Sequence, residues 1–171
     1  MDNASSVFVF AYGSNMCMQR MWGRVPTAIP ATIGFTSQRK LVFHKRSDDG
    51  SGKADAAFTA VPTDRLWGVV YQLRREDKSV LDQYEFLGIG YNQEKVNVVL
   101  EEGSLEAWIY VARREAIDPS LRPYSWYLDY IIHGACQHRL PDKHIDYLRS
   151  FDSLIDLDSA RRARNRQLIE K

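Results

Sequence analysis

Two short stretches combine residue types that can do chemistry. The first, Phe10-Ala11-Tyr12-Gly13-Ser14-Asn15-Met16, follows the apolar run Val7-Phe8-Val9-Phe10 and leads into Cys17–Trp22, which has a helical composition. A buried strand would thus pass through a tight turn into a helix. Gly13 is free to adopt backbone angles that other residues avoid, and Asn15 is a preferred N-cap. Unpaired N–H groups at such a turn suit an anion, whether phosphate or carboxylate; the same pattern also fits a capped turn with no ligand. The second stretch is Leu81-Asp82-Gln83-Tyr84-Glu85, preceded by Lys78-Ser79-Val80. It reads as a short helix in which Leu81 and Glu85, four apart, share a face. With Leu81 in the core, Glu85 is drawn to the core's edge. Gly88 and Gly90 follow, so Glu85 closes the helix at the negative end of its dipole. Burial and the dipole both disfavour the carboxylate form, and such a group could take and return a proton near neutral pH. The plainer alternative is a solvated glutamate at a helix end.

The elements that must position these groups follow from periodicity. Val7–Phe10, Thr32–Phe35, Lys40–His44, Ala56–Ala60, Leu66–Leu73, Glu94–Leu100 and Leu105–Ala112 read as strands. Trp67, Val69, Tyr71 and Leu73 alternate along one strand face, as do Val96, Val98 and Leu100 along another. Glu101-Glu102-Gly103-Ser104 supplies a hairpin turn, and Asp48-Asp49-Gly50-Ser51-Gly52 a polar, flexible loop. After Arg113 the pattern turns helical. Ser125 is placed to cap Trp126–Arg139, and Pro141 to start Asp142–Phe151. The fold class is α+β. No internal repeat or linker divides residues 1–157, which read as one domain. Residues 158–171 read as a basic C-terminal helix or tail, with Arg161, Arg162, Arg164, Arg166 and Lys171 against Glu170. A solvated end accounts for that tail more simply than nucleic-acid binding does.

Composition narrows the functional classes. The chain has 171 residues, 44% hydrophobic and 26% charged, with a formal net charge of +1. That charge gives no whole-chain field toward nucleic acid or membrane. The two cysteines, Cys17 and Cys136, are far apart and suit a reducing compartment better than a disulfide framework. Met1–Ser6 has neither a basic nor a long apolar segment, so the default expectation is a cytoplasmic protein. His44, His133, His138 and His144 form no zinc-type spacing, and no phosphate-binding or dinucleotide glycine motif occurs. No cofactor or metal is expected. His133, Cys136 and Gln137 share a helix without a carboxylate nearby in sequence, a poor arrangement for a thiol nucleophile.

The loop Phe10–Asn15, the segments Ala57–Pro62 and Leu66-Trp67-Gly68-Val69-Val70-Tyr71, the helix Leu81–Glu85, the pair Gly90-Tyr91 and the helical region Tyr127–Phe151 occur in one order. In that order and spacing they resemble the gamma-glutamylcyclotransferase family over about residues 7 to 151. The resemblance implies a small mixed β-barrel with flanking helices. It implies an enzyme in which the substrate's own α-amino group attacks its γ-carbonyl, releasing 5-oxoproline and a free amino acid or amine. Intramolecular attack of this kind needs chiefly the right conformer and proton transfer. Carried over position by position, Glu85 would be the general acid/base. The loop Phe10, Ala11, Tyr12, Gly13, Ser14 and Asn15, with Tyr91 and Tyr127, would hold the substrate. The implied partner is a small γ-glutamyl molecule, with no nucleic acid or membrane, and the implied state a monomer or homodimer. Asn15 stands where glutathione-specific relatives tend to carry leucine, which favours the γ-glutamyl-amino-acid branch. Phe86–Gly90 is shorter than its counterpart in the animal enzymes, which bears on where Tyr91 falls. Two alternatives stay open: a non-catalytic binding or regulatory module, and a deprotecting cyclotransferase acting on a γ-glutamylated biosynthetic intermediate.

Overall fold

The computed structural model describes residues 6–170; Met1–Ser5 of the N-terminal segment and Lys171 of the tail lie outside them. Seven strands form, β1 (Ser6–Ala11), β2 (Ile29–Ser37), β3 (Arg39–Arg46), β4 (Gly52–Phe58), β5 (Arg65–Arg74), β6 (Tyr91–Val99) and β7 (Ser104–Ala112). Five close into a barrel in the order β1-β5-β2-β6-β7, and β3-β4 stand apart as a two-stranded hairpin. Antiparallel pairing runs along β1–β5, β5–β2 and β6–β7. The barrel closes through short contacts, parallel at Val9↔Trp108 and antiparallel at Phe35↔Val99. The expected α+β barrel with flanking helices is the fold observed.

The barrel's interior explains its sequence. Phe10, Leu66, Val70, Val98 and Ile109 are buried on one face of the sheet, supplied by alternate positions of different strands, while Val9, Val69, Tyr71 and Leu73 are buried on the other face, where Tyr71 reaches the Met16 carbonyl and His138. At Gly68 a Cβ would collide with the Ala11 carbonyl and crowd the Phe10 ring, so β5 passes β1 closely just where the 10–15 loop leaves the barrel. β4 begins four residues earlier than the expected Ala56–Ala60 and ends at Phe58, because Lys53–Asp55 are recruited by pairing with β3 despite modest strand propensity. Ala60 has φ +57°, which turns the chain out of the strand.

Helices cover the barrel. α1 (Met18–Arg24) follows a 3-10 turn at Ser14–Met16, α2 (Arg75–Tyr84) follows β5, and α3 (Ser125–Gln137), α4 (Asp142–Arg149) and α5 (Ser159–Arg166) close the chain. Ser125 is not the N-cap of α3. Tyr124 is, and the Ser125 N–H donates to the Leu154 carbonyl at 2.8 Å. α3 lies directly on the 10–17 loop, since a Cβ at Gly134 would strike the Met16–Cys17 backbone. The tail helix α5 is docked rather than free. Asp156, fully buried, accepts from Trp126 Nε1 at 2.9 Å and from Arg161 at 2.7 Å through both oxygens, and Tyr130 donates to the Asn165 carbonyl at 2.6 Å. Among the described residues no helix is long and apolar enough to cross a membrane.

Candidate active site

β1 delivers the 10–15 loop to one mouth of the barrel. Gly13 has φ −110°, so it does not occupy the left-handed region expected of it. Space is the constraint instead, because a Cβ there would sit 3.0 Å from the Ala54 Cβ. Asn15 is not an N-cap either. The 3-10 turn Ser14–Met16 begins at Gly13 without a side-chain cap. The Asn15 amide turns outward into a different network, which local helix propensity could not reveal.

α2 delivers Glu85. The Glu85 N–H still bonds to the Leu81 carbonyl at 3.0 Å, and Leu81 is fully buried beneath it. Glu85 is therefore the C-cap, as its spacing from Leu81 implied. The chain then reverses sharply through Phe86 (φ +49°) and Gly88 (φ +83°), which lets so short a connection place Tyr91 at the same mouth.

These elements converge on one pocket with about 380 Å³ of empty volume. Phe10, Ala11, Tyr12, Gly13, Ser14 and Asn15 form one wall, and Glu85, Tyr91 and Tyr127 the others. All nine residues singled out from sequence thus border a single cavity. Asn15 Nδ2 donates to Glu85 Oε1 at 2.9 Å, and Arg24 Nη1 donates to the same oxygen at 2.6 Å and to Asn15 Oδ1 at 2.9 Å. The Arg24–Glu85 pair is shielded, with side chains 15% and 14% exposed. Among the described residues, every hydrogen bond to the Glu85 side chain falls on Oε1, which leaves Oε2 for a ligand.

The tyrosines divide by which hydrogen-bonding capacity they keep. Tyr91 donates its hydroxyl proton to the Ala54 carbonyl at 2.7 Å. Tyr127 instead accepts the Ala54 N–H at 3.2 Å and has the Ser14 hydroxyl beside it, so its own proton is not given to the backbone. Tyr12 donates to the Tyr110 carbonyl at 2.6 Å, and Tyr110 to Asp82 Oδ1 at 2.6 Å. Burial raises the pKa of Tyr12, Tyr91 and Tyr127 above the phenol range, which keeps all three as neutral hydroxyls. Tyr127 is thus the tyrosine equipped to donate to a substrate oxygen.

A second chamber of about 520 Å³ adjoins the first and shares Ser14, Glu85, Tyr91 and Tyr127 with it. Arg20, Arg24, Lys45 and Lys53 line it. Sequence reasoning missed all four. Arg20 and Arg24 could have been found, because their spacing of four puts them on one face of the helix that follows the loop. Lys45 and Lys53 could not be placed without the β3–β4 register. Among the described residues, no three His, Cys, Asp or Glu side chains are grouped so as to hold a metal ion.

With this geometry in hand, similarity to known proteins narrows the family. Residues 65–148, which include Glu85, Tyr91 and Tyr127, match the model of the AIG2-like family. A gamma-glutamylcyclotransferase of Bos taurus is 29% identical over 160 residues, spanning 90% of this chain and 81% of its own. The Homo sapiens gamma-glutamylcyclotransferase is 28% identical over 153 residues, spanning 86% and 79%. The chain is similar to the AIG2-like family over residues 65–148 and to gamma-glutamylcyclotransferases over most of its length. A solved gamma-glutamyl cyclotransferase has the same fold, with a TM-score of 0.81 at 24% identity over 96% of this chain and 98% of its own. The family match covers the helix that carries Glu85 and the two site tyrosines; the longer alignment to the bovine relative extends it over most of the chain.

Proposed function

We propose that this protein belongs to the gamma-glutamylcyclotransferase family and catalyses cyclotransfer of a γ-glutamyl group, releasing 5-oxoproline and an amine or amino acid, in the cytoplasm. One observation carries the reading. Glu85 projects into a pocket walled by the Gly13–Asn15 loop, with Oε1 fixed by Arg24 and Asn15 and Oε2 uncommitted. The loop and Tyr127 would hold the γ-glutamyl carboxylate and carbonyl. The substrate ammonium would approach Oε2 and lose its proton there. The freed amine then attacks the γ-carbonyl carbon, forming the ring C–N bond. The oxygen carries the developing charge, and the bond to the leaving nitrogen breaks as Glu85 returns the proton to it; the ring nitrogen then gives up its second proton, which the departing amine takes up as ammonium. Fixing Oε1 twice holds the carboxylate in one orientation for both transfers.

The test is product release from γ-glutamyl-alanine by the purified protein. The reading expects 5-oxoproline and free alanine, and no release from the N-acetylated analogue, whose nitrogen cannot attack. Turnover of the acetylated compound, or no 5-oxoproline from a panel of γ-glutamyl dipeptides and amines, would overturn it.

A further inference from the structure

The chamber beside Glu85 has a charge that the γ-glutamyl group alone does not use. Arg24 is committed to Glu85, and Lys53 to Asp49 at 2.6 Å. Arg20 Nε donates to Ser14 Oγ at 3.0 Å, so it stands behind the loop proposed to hold the γ-glutamyl carboxylate. Lys45 is left over. Among the described residues it has no carboxylate within ion-pair distance; Glu85 first, then Asp48 at the exposed end of the hairpin and Asp49, act on it only from further away. Its ammonium lies 5.1 Å from the centre of the Tyr91 ring, on the chamber wall. Gly90 makes room for it, since a Cβ there would be 2.8 Å from Lys45 Cε.

Register supplies a second, independent observation. Lys45 and Lys53 are direct partners across the β3–β4 pair. Like charges placed opposite one another cost stability. The hairpin loop offsets part of that cost, because Asp49, held by the Ser51 N–H at 3.0 Å and hydroxyl at 2.7 Å, turns its other oxygen to Lys53. Four cations around the chamber face Glu85 and Asp49 alone at close range, leaving two positive charges in excess. A γ-glutamyl conjugate of a simple amine is neutral overall. One of a neutral amino acid carries one net negative charge, and one of an amino dicarboxylate carries two.

Resting on the cyclotransfer reading, we propose that the leaving half of the substrate is anionic, with an amino dicarboxylate as its best-fitting member, and that Lys45 reads that charge. Lys45 binds the leaving carboxylate from the wall opposite the loop, and Lys53 adds to the field behind it. An anionic leaving group also relieves the lysine–lysine repulsion that the empty hairpin carries.

The experiment measures kcat/KM for 5-oxoproline release from four shape-matched conjugates: γ-glutamyl-alaninamide, γ-glutamyl-alanine, γ-glutamyl-glutamine and γ-glutamyl-glutamate. The proposal expects alanine over alaninamide and glutamate over glutamine, each by about fivefold or more, the scale of a partly shielded charge pair. Lys45→Met should collapse both ratios toward one, and Lys45→Arg should restore them. Equal kcat/KM across each matched pair, or ratios that survive Lys45→Met, would reject the proposal while leaving cyclotransfer standing. Failure of all four to yield 5-oxoproline would instead remove the cyclotransfer reading and this assignment with it.

Discussion

The two chambers at the barrel mouth are built from different materials. The inner one is walled by a backbone loop, neutral tyrosines and one carboxylate, carried mainly by β1, β6, β7, α2 and α3, with Ala54 of β4 beside them. Its hydroxyls are tied to backbone groups, as Tyr91 and Tyr127 both are to Ala54. The outer one is lined by four long cations from α1 and the β3–β4 hairpin, which lies outside the barrel. Fixed dipoles on a rigid scaffold suit a reaction that demands one conformer. Long, flexible charges suit the recognition of a group that departs. The contrast assigns chemistry to the inner chamber and selection to the outer, with Glu85 on the wall between them.

Substitutions in the two chambers should therefore fail differently. The largest effect falls on Glu85→Gln, which keeps the shape and loses the proton shuttle. Steady-state kinetics should show kcat reduced by about two to four orders of magnitude, the range of general acid–base catalysis, with the thermal transition still cooperative. Near wild-type turnover would dissolve the distinction between the chambers. Next come the two tyrosines. Tyr127→Phe removes a hydroxyl proton not given to the backbone and should lower kcat/KM by about tenfold, the worth of one neutral hydrogen bond at its upper end. Tyr91→Phe removes a proton already given to Ala54, so its effect should appear in the melting temperature more than in kcat. Equal effects of both on catalysis would show that the hydroxyl pattern carries no meaning.

The smallest effect concerns pH in the outer chamber. Burial lowers the Lys53 pKa from its ordinary value to about 8, against the pull of Asp49. Lys53 is charged below that pH and loses its charge as pH rises through it. KM for an anionic conjugate should thus climb by roughly threefold between pH 7 and 9, a modest loss because Lys45 remains. KM for its neutral counterpart should rise less. A Lys53→Met variant should lack that inflection, and an unchanged profile in the variant would place the titration elsewhere.

The inner chamber was legible in the sequence and the outer one was not. A strand running into Tyr12-Gly13-Ser14-Asn15 is a local pattern, and so is a carboxylate four residues after a buried leucine. Both survive translation into structure because each needs only its own element. Asn15 shows the limit. Its type suggests an N-cap, but the amide bridges Arg24 and Glu85, nine and seventy residues away. Gly13 was singled out for backbone freedom, and its role is room for Ala54 on another strand. Lys45 and Lys53 gain meaning only from a cross-strand register, and β4, which carries Lys53, begins at Gly52, four residues before the expected Ala56. Ser125 was displaced as a cap by a long-range bond from its N–H to Leu154.

The central claim is that the γ-glutamyl chain attacks itself with Glu85 moving the proton. Turnover of γ-glutamyl-alanine in oxygen-18 water, followed by mass spectrometry of the released acid, tests it most directly. Cyclisation brings in no solvent oxygen, so the account predicts unlabelled 5-oxoproline from the wild-type protein and almost no product from Glu85→Gln. Oxygen-18 in released open-chain glutamate would mean that water is the nucleophile, and would contradict the account even if Glu85 proved essential.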